Sequence, residues 1–217
     1  MDNSPPRLLE DGLAQLGLPV SRAPALWSYA ELMLRWNQRV NLTAITDPAE
    51  VVDKHLLDSV AVLGEVPAGP RSVLDVGAGA GLPGIPWALL RDDLHVTLVD
   101  AVQKKVAFMK SAIATLRLAG RVKALHQRAM GKGDGLGEFD VVTSRAFTDI
   151  DRWVPLASQY LREGGVVLAM VGQPPEPGLL VRLAEQSGLL IVNQRRFSLP
   201  ISGDGRGVVV LKRPPSR

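Results

Sequence analysis

Asp75, Gly77, Gly79, Gly81 and Asp100 are the residues of this chain whose types and spacing could do chemistry together. Asp75 lies inside the apolar run Val73-Leu74-Asp75-Val76, and alternating glycines follow at once in Gly77-Ala78-Gly79-Ala80-Gly81-Leu82-Pro83-Gly84. That order predicts a buried strand, a tight turn whose backbone approaches a ligand closely, and a helix opening toward that ligand at Pro83. Twenty-three residues after Gly77, a second apolar run, Val96-Thr97-Leu98-Val99, ends in Asp100. A nucleotide-binding βαβ unit places at that point the carboxylate that holds a ribose. The pattern calls for a cofactor containing adenosine.

Two cofactor classes satisfy the letters. Gly79-Ala80-Gly81-Leu82-Pro83-Gly84 matches the dinucleotide fingerprint G-x-G-x-x-G, which seats a pyrophosphate on bare helix N–H groups. A carboxylate at Asp75 would repel that charge. S-adenosylmethionine carries a cationic sulfonium and an amino group instead, both attracted by an acid, so it is the expected cofactor.

The elements that must position these residues follow from periodicity. Helices are predicted over 5–17 and 24–40, and a third from the capping box Asp47-Pro48-Ala49-Glu50 to about Leu63, with Glu50 reaching back to the cap. After a break at Pro67, Gly69 and Pro70, strands near 72–76, 95–99, 122–126, 139–144 and 165–170 alternate with helices near 83–91, 102–118 and 150–162. Such alternation predicts a parallel, doubly wound sheet. A helix near 178–187 precedes the β-rich runs Leu189–Phe197 and Val208–Lys212, joined through Ser202-Gly203-Asp204-Gly205 as an antiparallel hairpin. The expected fold is α/β: a Rossmann-like class I S-adenosylmethionine-dependent methyltransferase, with a parallel sheet and a terminal hairpin. A helical extension over 1–70 and a cofactor-binding domain over 71–217 would form one compact unit. The hairpin counts against an NAD-dependent oxidoreductase, whose second half would repeat the βαβαβ unit.

Composition narrows the chemistry. The 217 residues include no cysteine, which excludes disulfides, thiolate metal sites and a cysteine nucleophile. Three scattered histidines make no metal site. No stretch approaches a membrane span, so a cytoplasmic protein is expected. Residues 1–70 carry five basic and nine acidic side chains, residues 101–133 eight basic and none acidic, and residues 190–217 six basic and one acidic. Single-sign regions of that size suit a polyanion such as RNA. A catalytically silent RNA-binding protein on the same fold is therefore a third reading.

The fourth strand runs into Ser144, Arg145 and Phe147, which should face the cofactor's methyl group at the carboxyl end of the sheet. The Asn/Asp-Pro-Pro-aromatic loop used to methylate exocyclic amines is missing, and methylation at cytosine C5 needs a cysteine. A nucleophile with a free lone pair, such as guanine N7, fits what remains. Arg145 would then pair with guanine O6 and N7 before reaction, or fix the cofactor or a phosphate. His55 and Asp58, one turn apart, read as a buried pair holding their helix to the core. Asn41 and Thr43 read equally as a helix stop and turn or as something more, and His95 and His126 as structural.

Trp36-Asn37, Asn41-Leu42-Thr43, Lys54-His55-Leu56-Leu57-Asp58-Ser59, the Gly77–Gly84 loop and Ser144-Arg145-Ala146-Phe147, in this order, resemble the RsmG (GidB) family of bacterial 16S rRNA guanine-N7 methyltransferases. The resemblance covers about residues 25 to 213. It implies methyl transfer from S-adenosylmethionine to N7 of guanine 527 of 16S rRNA, in free rRNA or the 30S subunit. It also implies cofactor contacts at Gly77, Leu82, the Ala129-Met130 pair and Arg145, with the N-terminal helices and basic surface docking rRNA. A monomer without metal is expected. Two positions depart from the family's pattern: Met130 stands where an acid is common, and Val171-Gly172 where Lys-Gly is frequent.

Overall fold

The computed structural model describes residues 4–145 and 149–215. Two helices, α1 (Pro5–Gln15) and α2 (Ala23–Asn37), open the chain. A third helical segment follows as α3 (Pro48–Val51), a π turn (Val52–Leu57) and α4 (Asp58–Val60). The expected single helix from 47 to 63 is thus interrupted by a wider turn, a feature that apolar spacing does not encode. Asp47 caps its start as expected, accepting from the Glu50 N–H at 2.9 Å. Glu50 does not reach back: its carboxylate takes the Lys54 ammonium at 2.6 Å, a surface pair one helical turn on.

The sheet has seven strands in the order β3-β2-β1-β4-β5-β7-β6. β1 (Arg71–Val76), β2 (Leu94–Asp100), β3 (Val122–His126), β4 (Phe139–Arg145) and β5 (Leu161–Val171) run parallel. The hairpin of β6 (Leu190–Ser198) and β7 (Gly205–Lys212) completes it, β7 lying antiparallel to β5. Between them stand α5 (Gly84–Leu90), α6 (Gln103–Thr115), α7 (Ile150–Ser158) and α8 (Pro177–Gln186).

The central strands are apolar on both faces because helices cover both. Val73 and Val96 belong to a core shared with Leu9, Tyr29, Leu57 and Phe108, so the N-terminal helices and α6 pack on one side of the sheet. Leu74 and Val142 point the other way, into a core with Trp153 and Leu180. The N-terminal segment is sewn in by polar contacts too: the Trp87 indole N–H donates to the Ser59 carbonyl at 2.7 Å.

β5 begins four residues before the expected 165, and α7 ends at Ser158 rather than 162. Arg162-Glu163-Gly164-Gly165, at the junction of the expected helix and strand, forms a bulged part of β5. Gly164 has φ +71°, and a Cβ on Gly165 would lie 2.9 Å from the Arg162 carbonyl, so the bulge needs its glycines.

Candidate active site

The loop from Gly77 to Pro83 is held by hydrogen bonds at both ends. Gly77, Gly79 and Gly81 all have positive φ, a conformation that side chains disfavour. The Gly81 and Leu82 N–H groups return to the Ala78 carbonyl at 2.7 and 2.9 Å. From α2, the fully buried Tyr29 donates its hydroxyl to the Ala80 carbonyl, and burial raises its phenol pKa. Pro83 is the cap of α5 rather than its first residue. Gly84 opens that helix because a Cβ there would sit 2.4 Å from Leu98 and 2.9 Å from Asp75. Its absence lets α5 press onto the sheet.

Asp75 lies beneath this loop, fully buried. Its Oδ2 accepts from the Gly84 N–H at 2.9 Å, whereas Oδ1 has no partner among the described residues. Burial pushes this carboxyl up to about 7, opposed by the Gly84 bond and by Arg145. Asp100, at the end of β2, spans two loops: Gly79 N–H donates to Oδ2 at 2.9 Å and Val102 N–H to Oδ1 at 2.8 Å. Val76, Gly77, Asp100, Lys105, Arg128 and Ala129 line a cavity of about 300 Å³ at the carboxyl ends of β1, β2 and β3.

Met130 sits outside that cavity. The residue is 71% exposed, and its N–H donates to Asp134 Oδ2 at 3.0 Å. Asp134 also accepts from the Tyr160 hydroxyl and from the Leu136 N–H, organising a loop in which Gly131, Gly133, Gly135 and Gly137 all have positive φ. Leu82 is buried behind the glycine loop.

A larger cavity, of about 810 Å³, opens at the carboxyl ends of β4 and β5 against the π turn. Ser144 and Arg145 line it, as do Lys54, His55, Asp58 and Arg206. Phe147, expected here, lies outside the described residues. The Arg145 guanidinium turns toward the π turn, donating from Nη1 to the Lys54 carbonyl at 2.8 Å and to Asp58 Oδ2 at 3.1 Å. Asp58 offers its other oxygen to Arg206 Nε at 3.4 Å, so one buried carboxylate serves two arginines. Burial pushes Asp58 up, while Arg145 and Arg206 pull it down.

His55 and Asp58 are both buried, as expected, but their shared partner is Arg145 rather than each other. The imidazole lies between Thr43 Oγ1 (2.7 Å from Nε2), the Lys54 carbonyl (3.0 Å from Nδ1) and Arg145 Nη2 (3.3 Å from Nδ1). Burial and then Arg145 push its pKa down to about 4, so the ring is neutral at pH 7. Thr43 is fixed in turn by Asn37, whose Oδ1 accepts from the Leu42 and Thr43 N–H groups at 2.8 and 3.0 Å. Thr43 thus does more than end a helix. A chain of hydrogen bonds runs from Asn37 through Thr43, His55 and Arg145 to Asp58, where an ion pair adds Arg206, and it spans most of the sequence.

A family model described as GidB, rRNA small subunit methyltransferase G, matches residues 22–190. The chain belongs to the GidB family. It is 46% identical over 210 residues to the ribosomal RNA small subunit methyltransferase G of Anaeromyxobacter dehalogenans (strain 2CP-C), covering 96% of this chain and 97% of that one. It is equally 46% identical over 206 residues to the protein of the same name from Myxococcus xanthus (strain DK1622), covering 93% and 94%. Among solved structures, the precorrin-6y C5,15-methyltransferase of Geobacter metallireducens GS-15 superposes with a TM-score of 0.55 at 13% identity, over 72% of this chain and 87% of that one. That likeness shows the Rossmann-like methyltransferase fold.

In this GidB chain the structure also locates the two departures from the family's pattern. Asp134, four residues beyond Met130, supplies a carboxylate to this loop. Val171 pairs with Gly207 across β5 and β7, so Arg206, beside Gly207, brings a cation to the edge where a lysine is absent. Sequence reasoning missed Asn37's bonds, Asp134 and Arg206 as site residues. Arg206 carried only a faint signal, a cation directly after the predicted turn.

Proposed function

We propose that this chain transfers a methyl group from S-adenosylmethionine to N7 of a guanine in small-subunit rRNA, guanine 527 by its family. One observation carries the reading. A glycine-and-acid cradle and a cavity of about 810 Å³ lined by Arg145 sit side by side at the carboxyl ends of β1, β2, β4 and β5. Ligands of open α/β sheets bind at that edge.

The residues present fit the cofactor. Asp75 Oδ1, buried and unpartnered among the described residues, suits a cation. A Cβ on Gly79 would meet only the Gly77 carbonyl, at 3.9 Å, leaving room for a ligand against the backbone. S-adenosylmethionine supplies an electrophilic methyl group. Gly77, Gly79 and Gly81 would hold its methionine end against bare backbone. Asp100 would accept from the ribose hydroxyls with lone pairs that Gly79 and Val102 leave free. Ala129 would border the adenine and Leu82 would back the loop. Met130, whose N–H is taken, could add only apolar side-chain contact.

Guanine N7 needs no proton removed before attack, so the protein's work is orientation. Aligned approach is worth on the order of 7–11 kcal/mol in favourable cases. Arg145 is suited to orienting a base, because Lys54 and Asp58 fix its plane and His55 beside it stays uncharged. Its remaining donors are available to guanine O6.

Residues 1–70 serve this reading as the helical extension that supplies the π turn, and 71–217 as the cofactor-binding domain. Among the described residues no helix is long and apolar enough to cross a membrane. Action as a cytoplasmic monomer on rRNA or the 30S subunit completes the proposal. The test is methyl transfer from labelled S-adenosylmethionine to 16S rRNA and to 30S subunits from a strain lacking this protein, with the base mapped. A single 7-methylguanine supports the reading. Cofactor binding without transfer to either substrate overturns it.

A further inference from the structure

The 810 Å³ cavity does not end at the base site. A second cavity, of about 660 Å³, lies across the ends of β5, β7 and β6 and is lined by Pro174, Arg196, Phe197 and Ser198. The two cavities share Gly172, Gln173 and Arg206 at their junction. Together they make a groove that starts beside Arg145 and runs outward over the hairpin.

The chemistry at the junction suits a phosphate. Arg206 is fixed through Nε on Asp58 and Nη1 on its neighbour's carbonyl at Gly205, which holds its guanidinium plane at the border between the cavities. A Cβ on Gly172 would meet nothing within 4 Å, so a ligand can come close to that backbone. Beyond the junction, exposed Arg196 supplies a second cation, and Phe197 a partly buried ring. Arg195 lies over that ring at 4.9 Å and is itself held by Glu65. Arginine, an aromatic ring and an open backbone are the elements with which proteins hold single-stranded nucleic acid.

We propose that this groove carries a single-stranded RNA segment. The reacting base occupies the larger cavity, the adjoining nucleotide the smaller one, and the phosphate between them lies on Arg206. The inference rests on the rRNA-methyltransferase reading and deepens it: it names the path of the strand next to the reacting base. It also makes the hairpin, rather than the basic stretch 101–133, the surface nearest that base. The larger cavity mixes charges, with Lys54, Arg145 and Arg206 against buried Asp58 and the exposed Asp149 and Asp151, whereas the charged residues lining the smaller one are Arg196 and Arg206. The smaller cavity is therefore the cationic one, where a backbone would pass.

The absence of cysteine makes a clean test possible. Ser198→Cys, in the wall of the smaller cavity, and Lys110→Cys, on α6, are each labelled with a short photo-crosslinker and bound to 30S subunits. The Ser198→Cys adduct should map within one or two nucleotides of the methylated guanine, and the Lys110→Cys adduct should not. Alongside, Arg196→Ala should raise KM three- to tenfold at unchanged kcat. It should also flatten the salt dependence of kcat/KM by about 0.7 in log–log slope, the loss of one single-strand phosphate contact. If unlabelled Ser198→Cys methylates normally while its adduct maps far from the guanine, or if Arg196→Ala leaves KM and slope unchanged, the groove assignment falls. If the wild type itself transfers no methyl group, the functional reading falls instead.

Discussion

The two ends of the site are built in opposite ways. The cofactor side is local: Asp75, the glycine loop and Asp100 lie within 26 consecutive residues, and N–H groups of this stretch donate to one oxygen of Asp75 and to Asp100. The substrate side is assembled from afar: Asn37, Thr43, His55, Asp58, Arg145 and Arg206 come from four separate stretches of chain. A local site tolerates a buried acid by leaning it on the backbone. An assembled one must balance charge between elements, and its residues hold the fold together while they shape the cavity. Damage to the first should cost binding, and damage to the second should cost stability.

Asp58→Ala should break this comparison most sharply if it is wrong. It strips two arginines of their shared acceptor, and loss of one partner from a buried pair costs about 3–5 kcal/mol. Urea unfolding should show that loss while S-adenosylmethionine affinity in the surviving folded fraction changes little. Wild-type stability with lost cofactor binding would reverse the assignment of the two sides.

His55 gives the next largest effect. Its pKa falls from 6.5 unfolded to about 4 folded, so its contribution is complete above pH 6.5 and disappears as pH drops toward 4. That amounts to about 3 kcal/mol across the window. His55→Gln should flatten the wild-type decline between those pH values, measured by denaturation at each pH. An unchanged slope would mean that another group titrates there.

On the cofactor side, Asp100→Ala should weaken S-adenosylmethionine binding by about 1–3 kcal/mol in calorimetry. Asp75→Asn should weaken it by about tenfold if the orphan oxygen faces a cation, since charged hydrogen bonds contribute about 1.5–3 kcal/mol. Its stability should move the other way. Burial raises Asp75 to about 7, so its neutral form is fully favourable below pH 3.8 and that advantage disappears as pH rises toward 7. Above pH 7 the variant should therefore unfold at higher urea than the wild type, the opposite of Asp58→Ala.

This contrast also explains what could be read in the chain before folding. The strand–glycine–acid pattern, the alternation of strands and helices and the terminal hairpin depend on neighbours in sequence, and all three are present. The bulge before Gly165 escaped because it belongs to the pairing of β5 with β4, which neighbours in sequence do not fix. The π turn at Val52–Leu57 escaped because apolar spacing does not tell it from an α-helix, and its His55 meets Arg145 and Thr43 across 90 and 12 residues. Met130 sits where a cofactor contact was expected, but Asp134 takes its N–H, a capture that neither residue announces. Arg206 could not be placed without knowing that β7 enters the sheet next to β5.

The order in which the chain is made gives the hairpin contacts another meaning. Asp53 accepts the N–H groups of Ile201 and Ser202, Asp58 meets Arg206, and Glu65 holds Asn193 and Arg195. Synthesis runs from the amino end, so the glycine loop and Asp100 leave the ribosome long before β6 and β7 do. Until then these three acids wait for their hairpin partners, and the larger cavity lacks the wall that bears Arg206. A nascent chain would have its cofactor end complete and its substrate end open, and the last strand through the exit tunnel would close the enzyme that serves the small subunit.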